Sequence, residues 1–195
     1  MWDQRYNSEE YAYGTAPNSF LAQHADSLAG PVLSLAEGEG RNAVFLATLG
    51  LQVTGVDGSA VGLAKARKLA HSKGVTIETL VADLAHYEPP EECYRSVVSI
   101  SAHLPGDVRA RLYPLIERSL KPGGIFLLEE YTKDQIPRGT GGPRDPDRMT
   151  SSVDLENAFP NCDIVLSRQI EREVTEGIYH SGMASVVQFI AKKKA

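Results

Sequence analysis

The sequence is poor in cysteine and in basic residues, and it contains no long apolar run. Only two of its 195 residues are cysteines, Cys93 and Cys162, which are too few and too far apart for a disulfide framework or a zinc site. We therefore expect a reducing, cytoplasmic compartment, and we predict no metal site. No segment approaches the ~20 apolar residues that a membrane helix needs, and residues 1–5 lack the apolar core of a signal peptide. We expect no membrane partner.

The shortage of positive charge narrows the possible partners. Lys and Arg number 20 against 25 Asp and Glu, which gives a net charge of −5 and an isoelectric point near 5.6. Such a chain offers no broad cationic surface for a phosphate backbone, so we expect no nucleic-acid partner. With 42% hydrophobic and 23% charged residues, the composition is that of one globular domain.

Short apolar segments alternate with helical patterns in the first two thirds of the chain. Ser59 and Asp107 are in position to cap the second and third helices, and Pro122-Gly123-Gly124 is expected to end the third. This alternation predicts a mostly parallel sheet with helices on both faces. We predict strands at 31–35, 52–56, 76–81, 97–100 and 125–128, and helices at 42–49, 60–72 and 107–120.

The last third of the chain has a different pattern. Residues 133–152 are polar and rich in Gly, Pro and Arg, which is typical of a functional loop, and a short helix is predicted at 152–159. Two β-like segments, 163–175 and 183–191, are joined through residues 176–182 and predict an antiparallel hairpin. We expect one domain, with an N-terminal cap or lid at 1–29, a binding core at 30–131, and a substrate loop with the closing hairpin at 132–195.

The sharpest motif lies at residues 33–42, where a buried strand runs through a glycine turn into a helix. Gly38 and Gly40 permit tight backbone and close approach of a ligand, and a helix start favours an anionic group. With Ala43 and Asp57 the motif also satisfies the relaxed dinucleotide fingerprint, which is found in NAD(P)-dependent oxidoreductases. By itself, it also fits a strand–turn–helix that binds nothing.

Acidic residues follow the next two predicted strands. Asp57 can accept hydrogen bonds from two ribose hydroxyls, and Asp83 from the exocyclic amine of a purine. A Leu-Lys-Pro-Gly-Gly turn at 120–124 precedes the fifth strand, and we place these features together at the edge of the sheet where ligands bind.

As a set, these features resemble the class I S-adenosylmethionine-dependent methyltransferases over residues 30–191. The resemblance implies an α/β fold with a Rossmann-like, doubly wound, mostly parallel seven-stranded sheet and a C-terminal antiparallel hairpin. Residues 2–6, the Tyr13-Gly14 pair and residues 37–42 are most similar to the small tellurite-resistance and thiopurine-type enzymes. The oxidoreductase alternative explains the glycine loop and Asp57, but it does not explain Asp83, the turn at 120–124 or the closing hairpin.

The resemblance also implies the cofactor, S-adenosyl-L-methionine, and its product, S-adenosyl-L-homocysteine. The family often has an acidic residue at position 34 and a Gly-Cys pair at 36–37, where this sequence has Ser34, Ala36 and Glu37. Glu37 can instead meet the cofactor's ammonium group. The implied cofactor-binding residues are Tyr13, Ala36, Glu37, Gly38, Gly40, Asp57, Gly58, Ser59, Ala82, Asp83, Leu84 and Ser99.

Three residues are candidates for the catalytic side of such a site. Methyl transfer from a sulfonium is an in-line displacement, in which a thiolate or chalcogen anion needs little base assistance and an amine or alcohol needs a proton acceptor. His103, His180 and Arg41 are placed to act as base or substrate contact. The alternatives are a backbone-bonded loop histidine for His103, an exposed turn for His180 and a surface ion pair for Arg41.

Two segments are candidate lids, and the remaining features restrict the acceptor. Residues 139–144 can close over it with glycines as hinges, as can the N-terminal aromatic residues. Residues 99–102 lack the Asn/Asp-Pro-Pro-aromatic motif of amino methylation, and two cysteines are too few for arsenite methylation. We expect a small-molecule acceptor, a thiol or a chalcogen oxyanion, and a monomer or weak homodimer. A non-catalytic protein that binds S-adenosylmethionine is the remaining alternative.

Overall fold

The computed structural model describes residues 2–195, which form one seven-stranded sheet flanked by helices. The strands are β1 (Val32–Leu35), β2 (Val53–Asp57), β3 (Glu78–Val81), β4 (Tyr94–Ile100), β5 (Leu120–Tyr131), β6 (Cys162–Glu176) and β7 (His180–Lys193). The helices are α1 (Trp2–Tyr6), α2 (Ser19–His24), α3 (Arg41–Thr48), α4 (Ala60–Ser72), α5 (Gly106–Ser119) and α6 (Ser152–Ala158). Short 3₁₀ turns lie between some of them.

The strand order is β3-β2-β1-β4-β5-β7-β6, in which β7 runs antiparallel to both of its neighbours. The other pairs are parallel. This confirms the predicted α/β, doubly wound, Rossmann-like sheet with an antiparallel C-terminal hairpin.

The core lies on both faces of the sheet. Leu33 of β1 packs in a cluster with residues of α5 and α6, whereas its neighbour Val32 packs with residues of α2 and α3. Since successive side chains of a strand point to opposite faces, a strand with both faces covered must be apolar throughout. All four residues of β1 are buried, as its sequence predicts, although the third is a serine.

The predicted cap of α4 is confirmed, whereas Asp107 is not the cap of α5, although both predicted ends of α5 lie within one residue of the observed ends. Ser59 Oγ accepts a hydrogen bond from Gly62 N at 3.0 Å. The first helical residue of α5 is Gly106, whose N–H donates to Asp147 Oδ2 at 2.8 Å, so Asp107 lies within the first turn. The capping carboxylate comes from a loop 41 residues away, which no local pattern could indicate.

The Leu-Lys-Pro-Gly-Gly segment also lies elsewhere than expected. Helix α5 ends at Ser119, and residues 120–124 begin β5, where Leu120 pairs with Tyr94 at the start of β4. The segment therefore lies at the amino-terminal edge of the parallel strands, opposite the edge where ligands bind in such sheets. The expectation that it joins the binding crevice is wrong.

The C-terminal hairpin is longer and tighter than predicted. Strands β6 and β7 are joined by residues 177–179, and Glu176 pairs with His180 across the turn. This places His180 inside the sheet. No helix within residues 2–195 has the length and apolarity to cross a membrane.

Candidate functional site

A cavity of about 750 Å³ opens at the carboxyl-terminal edge of the parallel strands. Its volume lies within the range of small-molecule sites. The loops after β1, β2, β3 and β4 form one part of its wall, and the N-terminal segment, the 141–143 loop and the hairpin turn form the other. Of the sequence-predicted site residues, Tyr13, Ala36, Glu37, Gly38, Arg41, Asp57, Gly58, Ala82, Asp83, Leu84, His103 and His180 line the cavity.

Three predicted cofactor residues are not on this wall. A Cβ on Gly40 would lie 2.6 Å from the Cα of Ala66, so this glycine allows the loop to pack against α4. Ser59 caps α4, and its hydroxyl donates to Asp3 Oδ1 at 2.5 Å. Ser99 is 1% exposed within β4. These positions support the architecture around the cavity.

Asp57 holds the glycine loop in place. Its Oδ2 accepts from Gly38 N at 2.9 Å and its Oδ1 from Ser59 N at 2.7 Å. Burial raises the pKa of this carboxyl, and the two backbone hydrogen bonds oppose that rise. Each carboxylate oxygen keeps a lone pair for a further donor. Asp57 can therefore bind a ligand hydroxyl while it anchors the loop.

Glu37 is a buried carboxyl in the loop between β1 and α3. Ser34 Oγ donates to its Oε2, and Ala43 N donates to its Oε1 at 2.9 Å. Burial raises the pKa of Glu37 to about 7. The carboxyl thus joins β1, the glycine loop and the start of α3.

His103 lies in a strained loop after β4. Its φ is +47°, and that of Ser101 is +54°, a region that non-glycine residues rarely occupy. Its N–H donates to Glu130 Oε1 at 3.3 Å, and its carbonyl accepts from Arg148 Nη1 at 3.3 Å. Burial and the nearby His180 lower the pKa of His103 to about 3, so the imidazole is neutral at physiological pH.

His180 and Arg41 converge on one carboxylate. Arg41 Nη2 donates to Glu176 Oε2 at 2.6 Å, and His180 Nδ1 lies 3.9 Å from the same oxygen. Burial raises the pKa of Glu176, but His180, Arg41 and Arg172 outweigh that effect and hold it far below its usual range. Both His180 and Arg41 are buried, so neither an exposed turn nor a surface ion pair describes them.

A polar network beneath these residues left only a weak signal in the sequence. Asn18 Nδ2 donates to Glu129 Oε1 at 2.7 Å and to Glu176 Oε1 at 2.8 Å. Arg172 pairs with both carboxylates, and Gln188 Nε2 donates to Glu129 Oε2 at 2.6 Å. The Asn18–Glu129 pair is 111 residues apart in sequence, beyond the reach of any periodicity. Only the placement of Glu129 at the end of an apolar strand hinted at a buried charge.

The N-terminal segment covers one side of the cavity. Arg5 Nη1 donates to Tyr13 Oη at 2.7 Å, and its guanidinium lies 4.8 Å from the ring of Tyr179 in the hairpin turn. Trp2 and Tyr6 also line the cavity, and their rings stack with centroids 5.7 Å apart. The cap thus joins the cavity wall to the hairpin.

Comparison with known proteins identifies a matching domain family. Residues 32–124, just under half of the chain, match the family described as a methyltransferase domain. No curated protein sequence matches the chain.

Solved structures share the fold at low sequence identity. A protein studied for the conversion of a disulfide bond into a thioacetal group during echinomycin biosynthesis is 19% identical, with a TM-score of 0.77 over 98% of this chain and 88% of its own. TehB from Haemophilus influenzae is 16% identical, with a TM-score of 0.72 over 99% of this chain and 66% of its own. The cyclase SpnF is 16% identical, with a TM-score of 0.69 over 95% of this chain and 88% of its own.

Proposed function

We propose that this chain, which has the Rossmann-like methyltransferase fold, is an S-adenosylmethionine-dependent methyltransferase with a small-molecule acceptor. The cavity carries the proposal, because a glycine loop and strand-end carboxylates line one part of it, and His103, His180 and Arg41 line another. A methyl transfer has two substrates, the cofactor and the acceptor. We assign the first set of residues to the cofactor and the second set to the acceptor. The domain match supports the same activity.

The residues on the cofactor side of the cavity are suited to binding S-adenosylmethionine, which consists of a nucleoside and a methionine part. Asp57 has free lone pairs for the ribose hydroxyls, and the Gly38 loop offers close backbone approach to the methionine part. The exposed Asp83 can accept from the adenine amine, and the buried Leu84 offers an apolar contact. When bound, the cofactor supplies an electrophilic methyl group on a sulfonium.

On the acceptor side, the chain's residues orient a nucleophile and exclude water. Displacement requires the nucleophile ~3 Å from the methyl carbon and in line with the leaving sulfur. A cavity of about 750 Å³ that also holds the cofactor leaves room for a small acceptor only. We favour a thiol or a chalcogen oxyanion, and the thioacetal chemistry named for one structural neighbour supports sulfur.

We further propose a cytoplasmic protein that is a monomer or weak homodimer. Both cysteines are free thiols, which fits a reducing compartment. The outer strand β6 exposes Glu171 and Glu173, and charged side chains on an edge strand disfavour pairing with a second copy. Light scattering at micromolar concentration measures the oligomeric state.

Two alternatives make different predictions. An NAD(P)-dependent oxidoreductase must bind NAD(H) in preference to S-adenosylmethionine, which competition calorimetry measures. A non-catalytic protein binds S-adenosylmethionine and never accumulates S-adenosylhomocysteine. The non-catalytic alternative must be tested because the chain is also structurally similar to a cyclase, and a shared fold does not establish shared chemistry.

An acceptor screen tests the proposed function. The purified chain is incubated with S-adenosylmethionine and a panel of thiols, selenite and tellurite, and S-adenosylhomocysteine is measured. We expect product with at least one acceptor above the rate without acceptor. Binding without turnover across the panel would contradict the enzymatic proposal.

A further inference from the structure

A lysine connects residues 7–10 of the N-terminal segment to helix α4. These four residues are exposed, and a cleft of about 360 Å³ lies between the segment and the helix. Lys65 reaches from α4 to the segment, where its Nζ donates to the carbonyl oxygens of Ser8 at 2.9 Å and Glu10 at 2.6 Å. The ring centroid of Tyr11 lies 4.7 Å from the same nitrogen, within the range of a cation–π contact.

The ammonium group of Lys65 also forms an ion pair with the glycine loop. Its partner is Glu39, which lies between Gly38 and Gly40. Glu39 Oε2 accepts from Ala12 N at 2.8 Å, so one carboxylate binds both Lys65 and the backbone of the N-terminal segment. The side chains of Lys65 and Glu39 are 11% and 4% exposed, and charged side chains are rarely buried so deeply unless they are paired. We call Lys65 and Glu39 the clasp.

The segment that the clasp holds forms part of the cavity wall. Tyr6 and Tyr13 both line the cavity. Tyr6 precedes the residues whose backbone the clasp binds, and Tyr13 directly follows them. The clasp therefore determines where both rings lie relative to the cavity.

Tyr6 covers the cofactor side of the cavity. A Cβ on Gly38 would lie 2.7 Å from Tyr6 Oη, and the N–H of Gly38 donates to Asp57 Oδ2 at 2.9 Å. If the segment moved away, this part of the wall would be lost. A ligand that needs the closed arrangement binds with an apparent affinity that is reduced in proportion to the fraction of closed molecules.

We propose, on the premise of the proposed function, that Lys65 and Glu39 are positioning residues for S-adenosylmethionine. The clasp holds residues 6–13 closed over the cofactor side of the cavity and thereby slows the release of the bound cofactor. Lys65 acts through Glu39 and the N-terminal segment, because it does not itself line the cavity. Since the coupling between two binding events is reciprocal, the bound cofactor must favour the closed segment by the same factor.

A pair of lysines on one helix tests the clasp. Lys65→Met removes the ammonium group and keeps the length of the side chain, whereas Lys68→Met changes an exposed lysine that lines the same cleft. We expect Lys65→Met to raise the Kd and the dissociation rate of S-adenosylmethionine at least tenfold in surface plasmon resonance, and Lys68→Met to leave both unchanged. Equal values in the two variants would overturn the clasp, whereas a wild-type chain that does not bind S-adenosylmethionine would overturn the proposed function.

Restoring the ammonium group separates positioning from general damage to the fold. Lys65→Cys treated with 2-bromoethylamine carries an ammonium group on a side chain of nearly the original length. We expect complete alkylation, verified by mass spectrometry, to bring the Kd of S-adenosylmethionine back to within threefold of the treated wild type. The treated wild type controls for modification of the exposed Cys93. A fully alkylated variant that keeps the weakened affinity would contradict the role of the charge.

Hydrogen exchange of the wild-type chain tests the coupling without a substitution, and it decides if the variants fail to fold. The amide of Ala12 donates to Glu39, and the amide of Lys194, at the end of the hairpin away from the turn, donates to the Asn161 carbonyl. We expect saturating S-adenosylmethionine to slow exchange of the Ala12 amide at least tenfold more than that of Lys194. An equal change at both amides would overturn the coupling between the clasp and the cofactor.

Discussion

Glu130 is a buried carboxyl that binds a proton more tightly in the folded protein than in the unfolded chain. It is the last residue but one of β5, and burial raises its pKa to about 7. Its Oε2 has no hydrogen-bond partner within residues 2–195, and its Oε1 supports the His103 loop. The residue therefore links protonation to the conformation of the acceptor side.

The first prediction concerns stability against pH. Because the folded pKa of Glu130 exceeds the unfolded value, the folded state keeps a proton that the unfolded state loses, and stability falls as pH rises from about 4.5 to about 7. We expect Glu130→Gln to remove up to ~3 kcal/mol of this fall between pH 5 and 8 in urea unfolding. Burial also raises the pKa of Glu37 to about 7, so Glu37 adds to this loss of stability over the same pH range. The exposed Glu9→Gln is the control, and an unchanged pH profile in Glu130→Gln would refute the assignment.

The second prediction concerns Asp57. Its carboxylate accepts two backbone hydrogen bonds and, under the proposed function, those of the ribose. Asp57→Ala is expected to weaken S-adenosylmethionine binding by ~1.5–3 kcal/mol, roughly 10- to 100-fold, in calorimetry. Asp163→Ala, an exposed position on β6, serves as control. Equal affinities in the two variants would show that the ribose assignment is wrong.

At the scale of elements, the N-terminal segment and the hairpin turn interlock. Ile178 N donates to the Ala12 carbonyl at 3.1 Å, and a Cβ on Gly177 would lie 2.3 Å from the same oxygen. The ring of Tyr13 lies 4.7 Å from that of His180, so the contact reaches the wall of the cavity. The cap is held by the turn as well as by its own packing.

The third prediction tests this interlock. Gly177→Ala is expected to displace the N-terminal segment, because the new methyl group meets backbone atoms that cannot rotate away. We expect proteolytic cleavage before residue 18 at least tenfold faster than in the wild type, monitored by mass spectrometry. Gly74→Ala has a similar φ, +70° against +67°, and open space around it, so its cleavage rate should match the wild type. Identical rates in both variants would argue against the interlock.

Periodicity predicted the elements and placed them approximately, but it did not identify the contacts that end them. The apolar runs of β1, β4 and β5 and the helical spacing of α4 are local patterns, and each appears where the sequence placed it within a few residues. The start of α5 depends on Asp147, and its end depends on the pairing of Leu120 with Tyr94. Both are tertiary contacts, so local propensity could not identify Asp147 as the cap or Tyr94 as the partner of Leu120.

At the scale of the whole molecule, the network of Arg172, Glu129 and Glu176 joins β5 to the hairpin. Asn18 at the start of α2 completes it. Removing one member of a buried ion pair leaves the opposite charge without compensation, which is far more costly than breaking an exposed pair.

The fourth prediction measures this difference. Arg172→Met is expected to lower the free energy of unfolding by ~3–5 kcal/mol, because Glu129 is left as a buried charge. Arg138→Met breaks the exposed ion pair between Arg138, in the loop after β5, and Glu171 of the same hairpin, and is expected to cost below ~1 kcal/mol. Urea unfolding at pH 7 measures both, and equal losses would refute a structural role for the buried network.

The sequence by itself determined the fold class, the glycine loop and the acidic residues at two strand ends, because these depend on local periodicity and on which strand edge carries the carboxyl ends. Only the tertiary structure decided which side chains form the acceptor end. It brought Arg41 to Glu176 across 135 residues, packed the rings of His103 and His180 against Tyr131, and moved residues 120–124 to the far edge of the sheet. Such pairings depend on how elements that are distant in sequence pack together. Because the two partners of a buried contact can be separated by any number of residues, no periodic pattern in the sequence predicts them.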